Sequence, residues 1–344
     1  YGGGVHINGG IALIEDNFFI ESSVNGGTNF MVSNYLFGGG LYGFICTVEV
    51  IENDFIGNIA DAGSGGGVMC KYTYSGTVID SCLFSENSAS CGAGINCEDC
   101  DLDITRNIVV NNDGEGIRCR LSDSNILNCT VNGNSLNGIH LEQTAATVEN
   151  TIVTNNQALG GIRFIDSPNS LVKYSDFHNN AGGNFYGSPP SIYLGIIVTT
   201  NINDDSCDAF YNVFGDPLFA DPASGDYQIT WENFPVMDET RSPCIDAGSP
   251  LSSLDPDGTL NDAGVFYFDQ IIPVVTGLTI TIDGEDVILD WEEVPQAAFY
   301  NIYRADTPYF ETTGMTPVAT VTGLSHMDEN AAAEGMYFYI VTWE

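Results

Sequence analysis

The chain has 344 residues, 43% of them hydrophobic, with 8 Lys and Arg against 46 Asp and Glu, a formal net charge of −38. So acidic a balance argues against nucleic acid and against an anionic membrane surface, because phosphate recognition needs Lys and Arg, and it suits a protein kept soluble by self-repulsion in a salty or divalent-rich medium. The hydrophobic content and clean periodicity argue against disorder, and no run of about 18 apolar residues is present to cross a bilayer as a helix.

The first residues, YGGGVHI, already belong to a repeat phrase, which predicts a chain that starts in mid-repeat, with no signal peptide and more sequence beyond it. Over residues 1–64 the repeat is loose. Ala12 and Ile14 precede Asn17 and Phe19 as Val48 and Val50 precede Asn53 and Phe55. The insertion NGGTNFMVSNYLFGGG between them is expected to bulge from a coil edge.

From residue 65 the phrase is regular: glycine, any residue or glycine again, then an aliphatic residue opening an alternating run. Val68, Ile95, Ile117, Ile139 and Ile162 are its markers, 27, 22, 22 and 23 residues apart. In step with it, an apolar residue precedes asparagine by three, as in Phe55 and Asn58, Phe84 and Asn87, Val109 and Asn112, Val131 and Asn134, Ile152 and Asn155, and Phe177 and Asn180. Two motifs in phase at this period mean a solenoid. Alternation without a helical period makes each coil of strands and turns. The predicted fold is all-β: a right-handed parallel β-helix over 1–187, with coils about 4.8 Å apart. Glycine before the marker is expected to permit a positive-φ corner, and stacked asparagines to satisfy buried bends.

The ten cysteines read in several places as small buried residues: Cys70, Cys97 and Cys119 stand two after a marker and point inward, and Cys82 and Cys129 replace the turn residues Asn53 and Asn107. A loop disulfide from Cys91 to Cys97 or Cys100, and a zinc site on those three, are the alternatives.

Positions one and three after each marker are expected to face outward and stack. The first column is Met69, Asn96, Arg118, His140 and Arg163; the second is Lys71, Glu98, Arg120, Glu142 and Ile165. Four of the eight cations and a histidine thus share one face. One reading is a groove for an acidic polysaccharide, with Lys71, Arg118, Arg120, His140 and Arg163 binding uronate carboxylates. In its catalytic form, a lyase or hydrolase, His140 is general base or acid tuned by Glu142, with Arg118 and Arg163 beside it. The other is charge compensation on an exposed sheet, Arg120 with Glu98 and Glu142. No close carboxylate pair of the glycosidase kind lies on this face.

Residues 188–272 are turn-rich and are expected to cap the open end of the helix. The phrases FGDPLFADPASGDYQI, SPCIDAGSP and DPDGTLNDAGVF resemble the choice-of-anchor Q module of bacterial β-helix repeat proteins. That resemblance implies export and attachment at the cell surface. The repeats themselves are similar in style to pectate-lyase-like and polymorphic outer-membrane β-helices. Asp255, Asp257, Asn261 and Asp262 in DPDGTLND offer oxygens suited to calcium, against the plain reading of an Asp-Gly turn. Asp204, Asp205 and Asp208 are a weaker candidate.

Residues 273–344 alternate over short strands, as a β-sandwich would. VILDWEEVPQAAFYNIYRA with GMYFYIVTWE resembles fibronectin type III, with Trp291 in its core, Tyr337 or Tyr339 on a late strand, and the last strand outside the chain. The function expected from all this is an exported, surface-attached structural or adhesive protein, with a glycan along its coil face and self-association into fibres as further expectations.

Overall fold

In a computed structural model the aliphatic markers form one internal column. The structure describes residues 4–24, 38–295 and 297–343. The insertion expected to bulge is residues 25–40; residues 25–37 lie outside the described residues, and the last three join the coil, the Gly39 N–H donating to the Gly65 oxygen (2.9 Å) and that of Gly40 to the Gly66 oxygen (2.9 Å). Two compact units are present, residues 1–270 and 271–344.

The first unit is a parallel β-helix. One eight-stranded parallel sheet runs from Val5–Asn8 to Phe185–Gly187. A second, of seven strands, runs from Ile11–Glu15 to Leu171–Lys173, and a third from Phe18–Ile20 to Asp176–His178. Register is strict: Val68 pairs with Ile95, Ile95 with Ile117, Ile117 with Ile139 and Ile139 with Ile162. All five are fully buried. Each such side chain contributes about 1.5–3 kcal/mol that its coil could not realise alone.

Polar ladders hold the bends. The amide of Asn87 donates to Asn112 Oδ1 (3.0 Å), that of Asn112 to Asn134 (2.9 Å), that of Asn134 to Asn156 (3.0 Å) and that of Asn156 to Asn180 (2.9 Å). The ladder residue in the sixth coil is therefore Asn156, not Asn155. Asn155 sits one place earlier at φ +57, in the corner position that Asn111 and Gly133 fill below it. Asparagine is favoured in both roles, as a left-handed corner and as a buried ladder rung, so two in succession mislead a spacing rule. At the other bend Cys82 donates its N–H to Asn107 Oδ1 (2.9 Å) and Cys129 to Thr151 Oγ1 (3.3 Å), so the cysteines there are ladder rungs.

Glycine before the marker is needed for a different reason than a corner. A Cβ on Gly94 would lie 2.6 Å from the Gly116 oxygen, and one on Gly116 would lie 2.7 Å from that of Gly138. Close approach of successive coils, not positive φ, excludes a side chain there.

The end of the first unit does not simply cap the coils. Residues 210–213 do extend the stack: Asn212 Oδ1 accepts the Ser175 N–H (3.1 Å), and Val213 pairs with Asp176 in parallel. The chain then turns back along the side of the helix. Asn261 Oδ1 accepts from Asn128 (2.8 Å) and Asn150 (2.7 Å), and the Val265 N–H reaches Thr130 Oγ1 (3.3 Å). Ile152 packs there with Ile229, Trp231, Cys244, Ile245 and Ala263 in a second, lateral core. Residues 242–268 are thus a strap over the flank.

The second unit pairs Thr279–Asp283, Asp286–Asp290 and Ser325–Asp328 in one antiparallel sheet and Ala319–Val321, Tyr300–Ala305 and Phe338–Trp343 in another. It is a small β-sandwich whose core holds Leu289, Trp291, Tyr300, Ile302 and Val341. On the edge strand Thr279–Asp283, Ile280 and Ile282 are 53% and 67% exposed, so this strand leaves its apolar side outward.

Candidate functional site

The first sheet places the two outward columns in register. Arg118 pairs with His140 and His140 with Arg163; Glu98 pairs with Arg120 and Arg120 with Glu142. Parallel strands about 4.8 Å apart set these neighbours side by side.

The second column is a chain of ion pairs. Lys71 Nζ lies 3.0 Å from Glu98 Oε1, which also takes Arg120 Nη1 at 3.0 Å. Arg120 Nε reaches Glu142 Oε1 (3.3 Å), and Arg118 Nη2 reaches Glu142 Oε2 (2.6 Å). Lys71, Arg118 and Arg120 therefore already have carboxylate partners on this face.

The first column is not exposed. Met69 and Asn96 are fully buried and His140 is 4% exposed. The turn before Ile117 brings Glu115 onto this row. His140 Nδ1 lies 2.6 Å from Glu115 Oε1, and Glu115 Oε2 takes the Gly92 N–H at 3.1 Å. The carboxylate on His140 is thus Glu115, while Glu142, expected to tune it, is drawn to the two arginines. Burial works against the Glu115 carboxylate, but the His140 hydrogen bond and charge, the Gly92 N–H and Arg118 together hold its pKa below the usual range. Burial is likewise outweighed at Glu142 by Arg118, which lowers its pKa. Glu115 carries a signal in the sequence: it is an acid at the place where other coils have Gly66 or Ala93.

Several polar atoms here have no partner. Asn96 Oδ1, Arg118 Nε, both amide atoms of Asn137 and His140 Nε2 are buried without a hydrogen bond among the described residues, Arg118 Nε having only a 4.0 Å ion contact with Glu115 Oε2. They lie on three consecutive coils of the first sheet. Arg163, partly buried, has no ion pair among the described residues. Buried polar groups are normally satisfied, so an unpaired group beside an uncompensated cation marks a place for something else.

The other candidates read as structure. Asp255 accepts from the Asn261 amide (2.9 Å) and the Asp262 N–H (2.9 Å); Asp257 accepts from the N–H groups of Thr259 (3.0 Å) and Gln270 (2.8 Å). Asp262 accepts from the N–H groups of Asp246 (2.6 Å) and Phe268 (2.7 Å), and burial pushes its pKa up to about 8. The four residues meet, but their oxygens are already engaged: the carboxylates by N–H groups of the strap and by the Asn261 amide, and Asn261 Oδ1 by the Asn128 and Asn150 side chains. Asp205 pairs with Arg241 (2.7 Å), and Asp208 binds the N–H groups of Gly195 (2.8 Å) and Phe210 (2.8 Å), which leaves Asp204 on its own. All ten cysteines are free. Cys91 ends the strand Ser88–Cys91 while Cys97 points inward from the next strand, Ile95–Glu98, and no metal-holding group of His, Cys, Asp and Glu occurs among the described residues. No helix is long and apolar enough to cross a membrane.

No curated protein matches the chain. The sequence profile described as the right handed beta helix region matches residues 1–145 and, overlapping, 93–212, together more than half of the 344 residues. With the parallel coils described above, the chain belongs to the right-handed β-helix family.

Proposed function

We propose that the protein is an exported, cell-surface structural or adhesive β-helix that holds a glycan along the outer face of its first sheet. One observation carries the reading: on a chain of net charge −38, four of eight cations fall on this face, and Arg163 there stays uncompensated beside the unpaired His140 Nε2. The Arg163 guanidinium, joined by His140 Nε2 when both ring nitrogens carry protons, suits an acceptor from outside, such as a uronate carboxylate. Because the His140 ring is 4% exposed, a neighbouring side chain must move to admit it. Lys71, Arg118 and Arg120 are less suited, being paired. Residues 188–272 as a choice-of-anchor Q-like module and 273–344 as a fibronectin III-like spacer complete the proposal. End-to-end stacking into fibres belongs to it too, and light scattering that finds only monomers removes that part.

The test is binding to a panel of neutral and uronate-rich polysaccharides, with Arg163→Gln and His140→Gln variants. Loss of a uronate signal in both supports the reading. No binding, or binding indifferent to both changes, overturns it.

A second reading, polysaccharide lyase or hydrolase, is favoured by the Glu115–His140 pair. A carboxylate that fixes Nδ1–H leaves Nε2 as the base, which suits proton abstraction next to a carboxylate neutralised by Arg163. Release of new sugar ends from bound polymer, abolished in His140→Gln, distinguishes it from simple binding.

A further inference from the structure

The strap leaves a cleft elsewhere on the first unit, at the corner between the second and third sheets. In successive coils this corner is Arg106, Asn128, Asn150, Tyr174 and Tyr211, all with positive φ. Asn128 and Asn150 are covered by the strap through Asn261. Past them the strap stands off, leaving a cavity of about 250 Å³ lined by Tyr174, Tyr211, Ile202, Asp246, Pro250 and Leu260, among others.

The two tyrosine rings lie parallel, 5.4 Å apart with 3° between planes. Tyr174 is engaged by Tyr211 and by Lys173, whose Nζ sits 5.7 Å from its ring. Tyr211 has Tyr174 as its single ring partner among the described residues and is 42% exposed. Neither hydroxyl has a hydrogen-bond partner among the described residues. Asp246 accepts from Gln270 through Oδ2 (3.0 Å), and its other oxygen has no side-chain partner there. The lining contains no Lys or Arg.

We propose that this cleft binds one neutral pyranose ring, stacked on Tyr211 and hydrogen-bonded to the Asp246 carboxylate. A tyrosine face is electron-rich and takes the polarised C–H face of a sugar, while a carboxylate accepts from its hydroxyls. The volume is below the roughly 300–1,000 Å³ of drug-sized sites, which limits the occupant to about one ring. A carboxylate wall without a cation disfavours acidic sugars. The site stands apart from the first-sheet face and does not depend on the glycan reading of that face.

The test is ligand-observed NMR on the full chain with neutral methyl hexopyranosides, a matched uronate, and cyclohexanol as an apolar control. The expected result is millimolar binding of a neutral pyranoside and weaker binding of the uronate. Tyr211→Ala should weaken binding at least about tenfold, Tyr211→Phe should keep it, and Asp246→Asn should reduce it. If Tyr211→Ala disturbs the last coil, Asp246→Asn and Tyr211→Phe still decide. The proposal is overturned if no pyranoside binds, if cyclohexanol binds equally well, or if Tyr211→Ala and Asp246→Asn both bind like the parent. Binding lost in Arg163→Gln instead would leave the sheet-face reading standing and remove this one.

Discussion

His140 Nδ1 and Glu115 Oε1 lie 2.6 Å apart across a gap of 25 residues, because one stands on a turn and the other on the strand of the next coil. The contact joins the ion-pair chain of the second column to the buried row of the first through Arg118, whose Nε is 4.0 Å from Glu115 Oε2. Its consequence for acidity is definite. The Glu115 and Glu142 pKa values are held below the ordinary 4.5, so the unfolded chain binds more protons in that window. Their stabilisation is full above about pH 4.5 and is lost as pH falls through the lowered folded values. Acid denaturation followed by circular dichroism should show a shallower slope for Glu115→Gln. An unchanged slope would mean the pair carries no linkage.

Arg118→Ala should act on stability. It removes the 2.6 Å pair with Glu142 from a side chain only 13% exposed. A loss of about 1.5–3 kcal/mol is expected from a charge-assisted hydrogen bond. Urea denaturation of the variant measures it, and an effect within about 0.5 kcal/mol would show the pair to be an ordinary surface contact.

Asn155 and Asn156 should respond differently to the same change. Asn155→Gly keeps a residue suited to φ +57 and gives up only the outer-edge bonds to Asn132 (2.8 Å) and from Asn179 (2.7 Å), so it should cost about 1 kcal/mol. Asn156→Gly breaks the ladder to Asn180 and Asn134 at full burial, and should cost about 2–4 kcal/mol. Equal losses would contradict the assigned register.

The strap should loosen as pH rises from about 4 to about 8. Burial raises Asp262 to about 8, so the folded form keeps a proton that the unfolded one releases near 3.8. Stability from this group is complete below about pH 4 and declines as pH rises to about 8. Hydrogen exchange at the Asp246 and Phe268 amides, which Asp262 accepts, should quicken more than the general base-catalysed trend across that range. Protection unaffected by pH would argue against a buried proton.

Gly116→Ala should be among the most damaging surface-distant changes. The new methyl would meet the Gly138 oxygen at 2.7 Å and the Asn134 amide at 2.8 Å, both part of the ladder stack. Thermal unfolding should fall by several degrees; a parent-like midpoint would show that coils can slide apart at low cost.

The sequence by itself determined the coil. Its period places Ile95 on Ile117 and Asn112 on Asn134, and residues one period apart must meet whenever strands stack in parallel. Hence the columns, the inward cysteines and the grouping of Lys71, Arg118, Arg120, His140 and Arg163 were legible without coordinates. Only the tertiary structure decided what covers those columns. Glu115 reaches His140 from a turn, and Asn261 reaches Asn128 across 133 residues. Such contacts follow no period, since they depend on where a turn or strap falls against a flank, and the carboxylate on His140 and the Tyr211 cleft follow from them.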